Sequence, residues 1–177
     1  MTVPLWITGP PTPAVWGASA GRLPTAPTPP DGTRSGTDGN KRVRGIKRHV
    51  LTCSAGLLLA VLCTTADVHD AKAAVPLLEA MSVPPIIRLV ADSAYVGPNV
   101  AIAAAARGAA MEIVAKAEGT KGFTPLPVRW RIEATFGALT NFHRWLVRNW
   151  EQSLPAAANS LWVANARRTL RAATRSS

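Results

Sequence analysis

The sequence predicts a mixed α/β fold, and three patterns carry this prediction. A segment of polar-to-mixed character, Ile46–Cys53, and an apolar run, Leu57–Thr64, flank a short turn, as the strands of an antiparallel hairpin do. A third run, Ile86–Ala91, is typical of a short buried strand and ends at Asp92. Apolar residues at helical spacing follow later in the chain, at Ile132, Phe136 and Leu139. Strands and helices in this mixed order indicate an α/β layout.

The other elements are predicted from apolar runs and from the residues that begin or end them. A helix starts near Asp67 or Asp70, either of which is a natural N-cap, and reaches about Met81. Pro98 then opens a second helix, and Gly108 ends it. The elements expected after that are a strand at Met111–Lys116, a loop at Ala117–Val128, the helix that contains Ile132, and a last helix at Ala156–Ala173.

Residues 1–37 differ from the rest of the chain in composition. Prolines recur through this segment, with glycines, serines and threonines between them, and proline cannot donate to the hydrogen-bond ladder of a sheet. We therefore expect a Pro-rich, mostly disordered leader.

The charge balance points to a polyanionic partner. Twenty Lys and Arg residues against ten Asp and Glu residues give a formal net charge of +10, and such a field favours nucleic acid. The spacing of Cys53 and Cys63 suggests neither a zinc site nor a disulfide framework, so both are expected to be reduced. The longest apolar run, Leu57–Cys63, is too short for a membrane span, and no signal peptide is recognisable, so we expect a cytoplasmic protein.

A cluster of basic residues leads into the hairpin, and it allows two interpretations. Its members are Lys41, Arg42, Arg44, Lys47 and Arg48. In one interpretation this basic segment lies along a DNA phosphate backbone. In the other it is a solvated edge strand, on which lysine and arginine prevent aggregation.

Two carboxylates are candidates for a metal site. Asp92 falls at the carboxyl end of a strand, where α/β sheets commonly bind ligands, and Glu133 falls beside the apolar stripe of its helix. Arg129 lies one turn before Glu133, and Gly137 one turn after it leaves bare backbone beside the carboxylate. The ordinary alternative is that Glu133 is a solvated residue paired with a neighbour.

If Asp92 and Glu133 meet, they are suited to hold Mg²⁺ while the surrounding cations hold DNA. Phosphoryl transfer on a nucleic-acid backbone uses such an arrangement, with two metal ions that several carboxylates coordinate. Two carboxylates are fewer than this chemistry normally requires.

Five stretches together resemble the bacterial insertion-sequence DDE transposases of the group that contains insertion sequences four and five. They occur between Asp38 and Glu151, in the family's order and with similar gaps. The stretches are Asp38–His49, Gly56–Val61, Ala66–Asp70, Ala91–Tyr95 and Arg129–Phe136.

This resemblance implies a ribonuclease-H-like mixed sheet flanked by helices, in a protein that cuts and joins double-stranded DNA at the ends of the element with Mg²⁺ or Mn²⁺. It implies that Asp92 is the second catalytic aspartate and Glu133 the catalytic glutamate, and that both bind the metal. The family's basic residues around and after the glutamate match Arg129, Arg131, Arg144 and Arg148.

The chain departs from the family upstream of Asp38. There the family has an opening strand with the first catalytic aspartate, and neither is recognisable in residues 1–37. Choosing Asp31 or Asp38 for that role would be a guess. We therefore expect a sheet without a recognisable first strand, and we expect residues 38–177 to form a partial catalytic domain, the C-terminal part of a transposase.

Two hypotheses of function remain open. In the first, the chain is a truncated or frameshifted transposase that performs metal-dependent strand cleavage and transfer, as a homo-oligomer or with a companion polypeptide. In the second, it is a non-catalytic basic remnant that binds DNA. Both place it in the bacterial cytoplasm, on the nucleoid when it binds DNA. A repair nuclease with the same fold fits the stretch Arg129–Glu151 less well.

Overall fold

The structure of the protein is a computed structural model. It describes residues 14–19, 35–39, 42–53, 56–81, 88–92, 95, 97–114, 129–142, 146, 150–151 and 153–175. The strands are β1 (Ala14–Ser19), β2 (Gly36–Asp38), β3 (Val43–Thr52), β4 (Leu58–Thr65), β5 (Arg88–Asp92) and β6 (Ala110–Val114). The helices are α1 (Asp70–Glu79), α2 (Pro98–Ala106), α3 (Arg129–Phe142) and α4 (Leu154–Arg175).

The described strands form one mixed sheet, in which β1 joins an antiparallel half to a parallel half. On one side β1 pairs antiparallel with β3, which pairs antiparallel with β4 along its other edge. On the other side β1 runs parallel to β5, and β5 runs parallel to β6. The short strand β2 extends the antiparallel half by pairing with β3 beyond the end of β1. The predicted mixed α/β fold, with a sheet flanked by helices, is therefore confirmed.

One expectation about the sheet is corrected by β1. No first strand was recognisable in residues 1–37, yet Ala14–Ser19 forms a strand with paired neighbours on both edges. Its sequence, AVWGAS, has prolines before it but none inside it, so its backbone amides can join the ladder. Most of the rest of the leader, which we expect to be disordered, lies outside the described residues.

The hairpin prediction is confirmed, but the first strand of the hairpin, β3, is not an edge strand of the sheet. β3 and β4 pair over Ile46–Thr52, and Gly56 adopts a positive φ of 74° in the turn. Since Arg48–Thr52 of β3 pairs with β1 on one side and with β4 on the other, the interpretation of the basic segment as a solvated edge strand is wrong for that part of β3.

Two apolar cores lie on opposite faces of the sheet, because side chains alternate along a strand. Leu51 and Ala91 pack with α1 and α2 on one face, which we call the α1–α2 face. Val50 packs with Leu139 and Leu161 on the other face, which we call the α3–α4 face. The described helices include no candidate for crossing a lipid bilayer.

The start of α1 corrects a second expectation. The N-cap is His69, whose Nδ1 accepts a hydrogen bond from the amide of Ala71 at 3.2 Å, and neither Asp67 nor Asp70 takes this role. Asp70 is the first residue of the helix, where a carboxylate interacts favourably with the helix dipole. Pro76 lies inside α1 without ending it.

Candidate functional site

Asp92 is the last residue of β5, as the sequence predicted. In the ladder it pairs with Val114 of β6. Leu89 and Ala91 of the same strand belong to the core of the α1–α2 face. Because side chains alternate along a strand, position 92 belongs to the opposite face, the α3–α4 face. The structure describes the backbone of Asp92 but not its side chain.

The helix that carries Glu133 covers this same face. Thr135 and Leu139 of α3 are buried, and Phe136 packs against the core that contains Val50. The predicted bare backbone is present at Gly137, because a Cβ atom added there would meet nothing within 4 Å. As for Asp92, only the backbone of Glu133 is described.

The two carboxylate positions lie on the α3–α4 face, and α3 is attached there to the turn between β3 and β4. The hydroxyl of Thr135 donates to the carbonyl of Gly56 at 3.3 Å, and Gly56 lies in the β3–β4 turn. Since β3 runs antiparallel to β1 and β5, this turn lies at the end where β5 begins, whereas Asp92 lies where β5 ends. The sharing of a cation by Asp92 and Glu133 therefore stays a prediction.

The residues of β1, the strand beside β5, bear on whether Asp92 and Glu133 could belong to a two-metal site. Its six residues, AVWGAS, include no aspartate and no glutamate. A two-metal site needs several carboxylates, and Asp92 and Glu133 supply two at most. Within the described part of the chain, no group of three or more His, Cys, Asp or Glu side chains could hold a metal ion. The described strands beside Asp92 therefore do not complete such a site.

The basic residues expected to contact DNA divide into exposed and buried ones. Arg42 and Arg44 are exposed, and Nε of Arg44 donates to the hydroxyl of Ser35 at 3.0 Å. Lys47 and Arg48, by contrast, expose only 9% and 5% of their surfaces. A role in phosphate binding therefore stays a prediction for Arg42 and Arg44, and the expectation for Lys47 and Arg48 is corrected.

Lys47 and Arg48 serve the interior of the protein instead. Nζ of Lys47 lies 3.1 Å from a carboxylate oxygen of Asp70 and donates to the carbonyl of Val68 at 2.8 Å, so it holds the start of α1 to the sheet. Arg48 points to the other face and donates from Nη1 to the carbonyl of Leu146 at 2.8 Å. Burial lowers the pKa of Arg48 from its ordinary value. Buried cations of this kind need partners within the chain, and the sequence pattern alone did not reveal them.

The other predicted DNA contacts are described only in part. Arg129 and Arg131 belong to α3, but their side chains are not described. Lys41, Arg144 and Arg148 lie outside the described residues. Beyond the predicted set, α4 presents Arg167 and Arg171 at the surface, which adds to the positive field of the molecule.

A buried polar network was not predicted from the sequence. His49 is fully buried in β3, with Nε2 at 2.9 Å from the hydroxyl of Thr64 and Nδ1 at 3.2 Å from the hydroxyl of Tyr95. Burial lowers the pKa of His49 to about 4, so the ring is neutral at pH 7. Tyr95 follows Asp92 by three residues, so this network holds the chain just after Asp92 against the α1–α2 face. The signal available in the sequence was a histidine inside the hairpin strand.

The cysteines agree with the expectation of reduced thiols. Burial raises the pKa of Cys63 to about 12, which keeps this thiol protonated. Cys53 is partly buried, and both cysteines are free.

Comparison with known proteins identifies one family. The family model described as "Transposase DDE domain" matches residues 21–164, which are most of the chain. None of the curated proteins matches this chain. Among solved structures, the chain is similar to the catalytic core domain of BIV integrase, with 13% sequence identity and a TM-score of 0.45. That similarity covers 85% of this chain and 80% of the integrase chain, and at this TM-score it carries no argument about function.

Proposed function

The chain belongs to the transposase DDE-domain family, and from this premise we propose that it binds the ends of an insertion sequence through a basic surface, with an incomplete metal site. The family match over residues 21–164 assigns the chain to DNA transposition in general. Membership in the group of insertion sequences four and five, and in the C-terminal part of the domain, belongs to this proposal. The bacterial cytoplasm, with the nucleoid when DNA is bound, is the proposed location.

The charge of the chain supports binding to DNA. A formal net charge of +10 attracts the phosphate backbone, and each phosphate that is neutralised releases condensed counterions. Arg42 and Arg44 are exposed near the start of β3, and we propose that they contact phosphates. Arg129, Arg131, Arg144 and Arg148 are proposed contacts from the resemblance, and Lys41 from the basic segment.

The composition of β1 is the observation that favours binding without cleavage. Metal-dependent strand cleavage would use Mg²⁺ or Mn²⁺, with Asp92 and Glu133 as ligands, but the strand beside Asp92 adds no third carboxylate. We therefore propose that the chain does not cut DNA unaided.

Salt-dependent DNA binding tests this proposal. We expect binding to duplex DNA that weakens linearly in log affinity as log salt rises. Changing Arg42 and Arg44 together to glutamine should lower the salt slope by roughly 0.9 for each phosphate contact that is lost. Lys72→Gln is the matched control, because Lys72 is exposed on α1 and is not a proposed contact. If the double variant and the wild type share one salt slope, these arginines do not bind phosphates.

Strand cleavage is a second candidate function, favoured by the common face of positions 92 and 133. A carboxylate from a companion polypeptide, or from another copy of the chain in a homo-oligomer, would then have to complete the site. The test is Mn²⁺-dependent nicking of the element's terminal DNA. Nicking that is present in the unaltered chain and lost in both Asp92→Ala and Glu133→Ala would establish cleavage and overturn binding without cleavage. Nicking that survives both substitutions would reject these two residues as the site.

A further inference from the structure

We infer that Gly17 of β1 stands where a side-chain carboxylate would complete a cation site with Asp92, and that the chain therefore does not hold a divalent cation tightly at this point. This inference rests on the proposed function, because it locates the defect of the incomplete site. The disagreement between the family's chemistry and this chain is thereby assigned to one position of the sheet.

The register of the sheet places Gly17 beside Asp92. In the parallel pair, Ala14 lies opposite Leu89 and Val15 lies opposite Val90. Continued along both strands, this register brings Gly17 level with Asp92. On the other side of β1, Gly17 is paired with Val50 of β3.

The two cores support the continued register. It sets Ala91 in one row with Leu51 and Ala60, which are paired across β3 and β4, and all three belong to the core of the α1–α2 face. The next row contains Asp92, Gly17 and Val50, and Val50 belongs to the core of the α3–α4 face. Positions in one row of a sheet share a face, so positions 17 and 92 share the α3–α4 face.

The chemistry of a divalent cation explains why this position matters. Neighbouring strands lie roughly 4.8 Å apart, so side chains on adjacent positions of one row can bind the same ion. Mg²⁺ and Mn²⁺ take oxygen ligands, and glycine offers no side-chain oxygen. The family match begins at residue 21, after the end of β1, so this strand belongs to the sheet but not to the matched region. With glycine at position 17, Asp92 has no carboxylate neighbour in its row on β1.

Calorimetric titration of the full chain with Mn²⁺, without DNA, tests this inference. We expect Gly17→Asp to bind Mn²⁺ about tenfold or more tightly than the wild type, because a second carboxylate joins Asp92. Gly17→Asn is the matched control, since it has nearly the same size but no charge. The double variant Gly17→Asp with Asp92→Asn should return to the affinity of the wild type. Equal Mn²⁺ affinity in folded wild type and Gly17→Asp would overturn the inference.

Two further measurements stay informative even if Gly17→Asp is destabilised. Mn²⁺ should raise the melting temperature of Gly17→Asp, or restore its folding, and should not do so for Gly17→Asn. The unaltered chain should bind Mn²⁺ weakly and without regard to Asp92. Tight binding by the wild type that Asp92→Asn abolishes would overturn the inference, because the site would be complete without position 17. Failure of DNA binding would instead reject the proposed function and leave these metal measurements intact.

Discussion

The two faces of the sheet are fixed to their helices by different means. On the α1–α2 face the links are buried and charged or polar: Lys47 pairs with Asp70, and His49 joins Tyr95. On the α3–α4 face, Thr135 and Arg168 both donate to one carbonyl, that of Gly56 in the hairpin turn. The α1–α2 face is held by several separate attachments. On the α3–α4 face, two helices share one carbonyl of the turn, and a buried bond from Arg48 to Leu146 adds to these contacts.

A further attachment on the α1–α2 face joins its two helices. Arg107, just after α2, donates to the carbonyl of Met81 at 3.0 Å and to that of Glu79 at 2.9 Å. The carbonyl of Glu79 is one of those at the end of α1 that have no partner within the helix, and the carbonyl of Met81 lies just beyond that end. The elements on the α1–α2 face are therefore held together at the ends of the two helices as well as in the core.

Acid should first destabilise the packing on the α1–α2 face, through protonation of His49. Its folded-state pKa of about 4 lies below the ordinary value of 6.5, so the unfolded chain binds the proton more readily. The stability that depends on the neutral ring is fully present above pH 6.5 and is lost as the pH falls from 6.5 to 4. The loss should total about 3 kcal/mol. Urea unfolding at a series of pH values measures it.

Two variants make the acid experiment specific to His49. In His49→Gln the loss of stability between pH 6.5 and 4 should shrink, although the variant is less stable at pH 7. In His69→Asn, where the new side chain can still cap α1, the acid-induced loss should persist. Equal pH dependence in wild type and His49→Gln would show that His49 is not the group responsible.

The two bonds that Thr135 and Arg168 donate to the carbonyl of Gly56, which we call the clamp, should be weakened by Gly56→Ala. Gly56 has a φ of 74°, and an added Cβ would lie 2.8 Å from the hydroxyl oxygen of Thr135. We expect a loss of about 1–2 kcal/mol from backbone strain and crowding, seen as a lower denaturation midpoint. Gly39→Ala is the control, since open space surrounds that position, and it should change stability by less than about 0.5 kcal/mol. Similar losses in both variants would argue against the clamp.

The smallest expected effect is a gain, at Gly137 of α3. This glycine is exposed inside the helix with open space around it, so Gly137→Ala should raise the free energy of unfolding by about 0.5–1 kcal/mol. Ala134→Gly, at an exposed position of the same helix, should lower it by a similar amount. Thermal unfolding measures both. A loss of stability in Gly137→Ala would mean that another part of the protein covers this side of α3.

The sequence was sufficient for the elements whose apolar pattern is local. The hairpin, the strand that ends at Asp92, and α3 follow from periodicity and from turn residues such as Gly56. Local pattern could not reveal β1, because a short strand among prolines is stabilised by its pairing with β3 and β5 and not by its own sequence. It also misplaced Lys47 and Arg48, since burial of a cation depends on partners distant in sequence, such as Asp70 and Leu146.

The central place of β1 has a consequence for any shortened form of the protein. A chain cut at Asp38, where the resemblance to transposases begins, would lose the strand that separates β3 from β5. Both would then present unpaired amide and carbonyl groups, which recruit foreign strands. Such a fragment would tend to aggregate or to exchange strands between molecules. The proline-rich N-terminal segment should therefore be kept in any preparation that is intended to remain monodisperse.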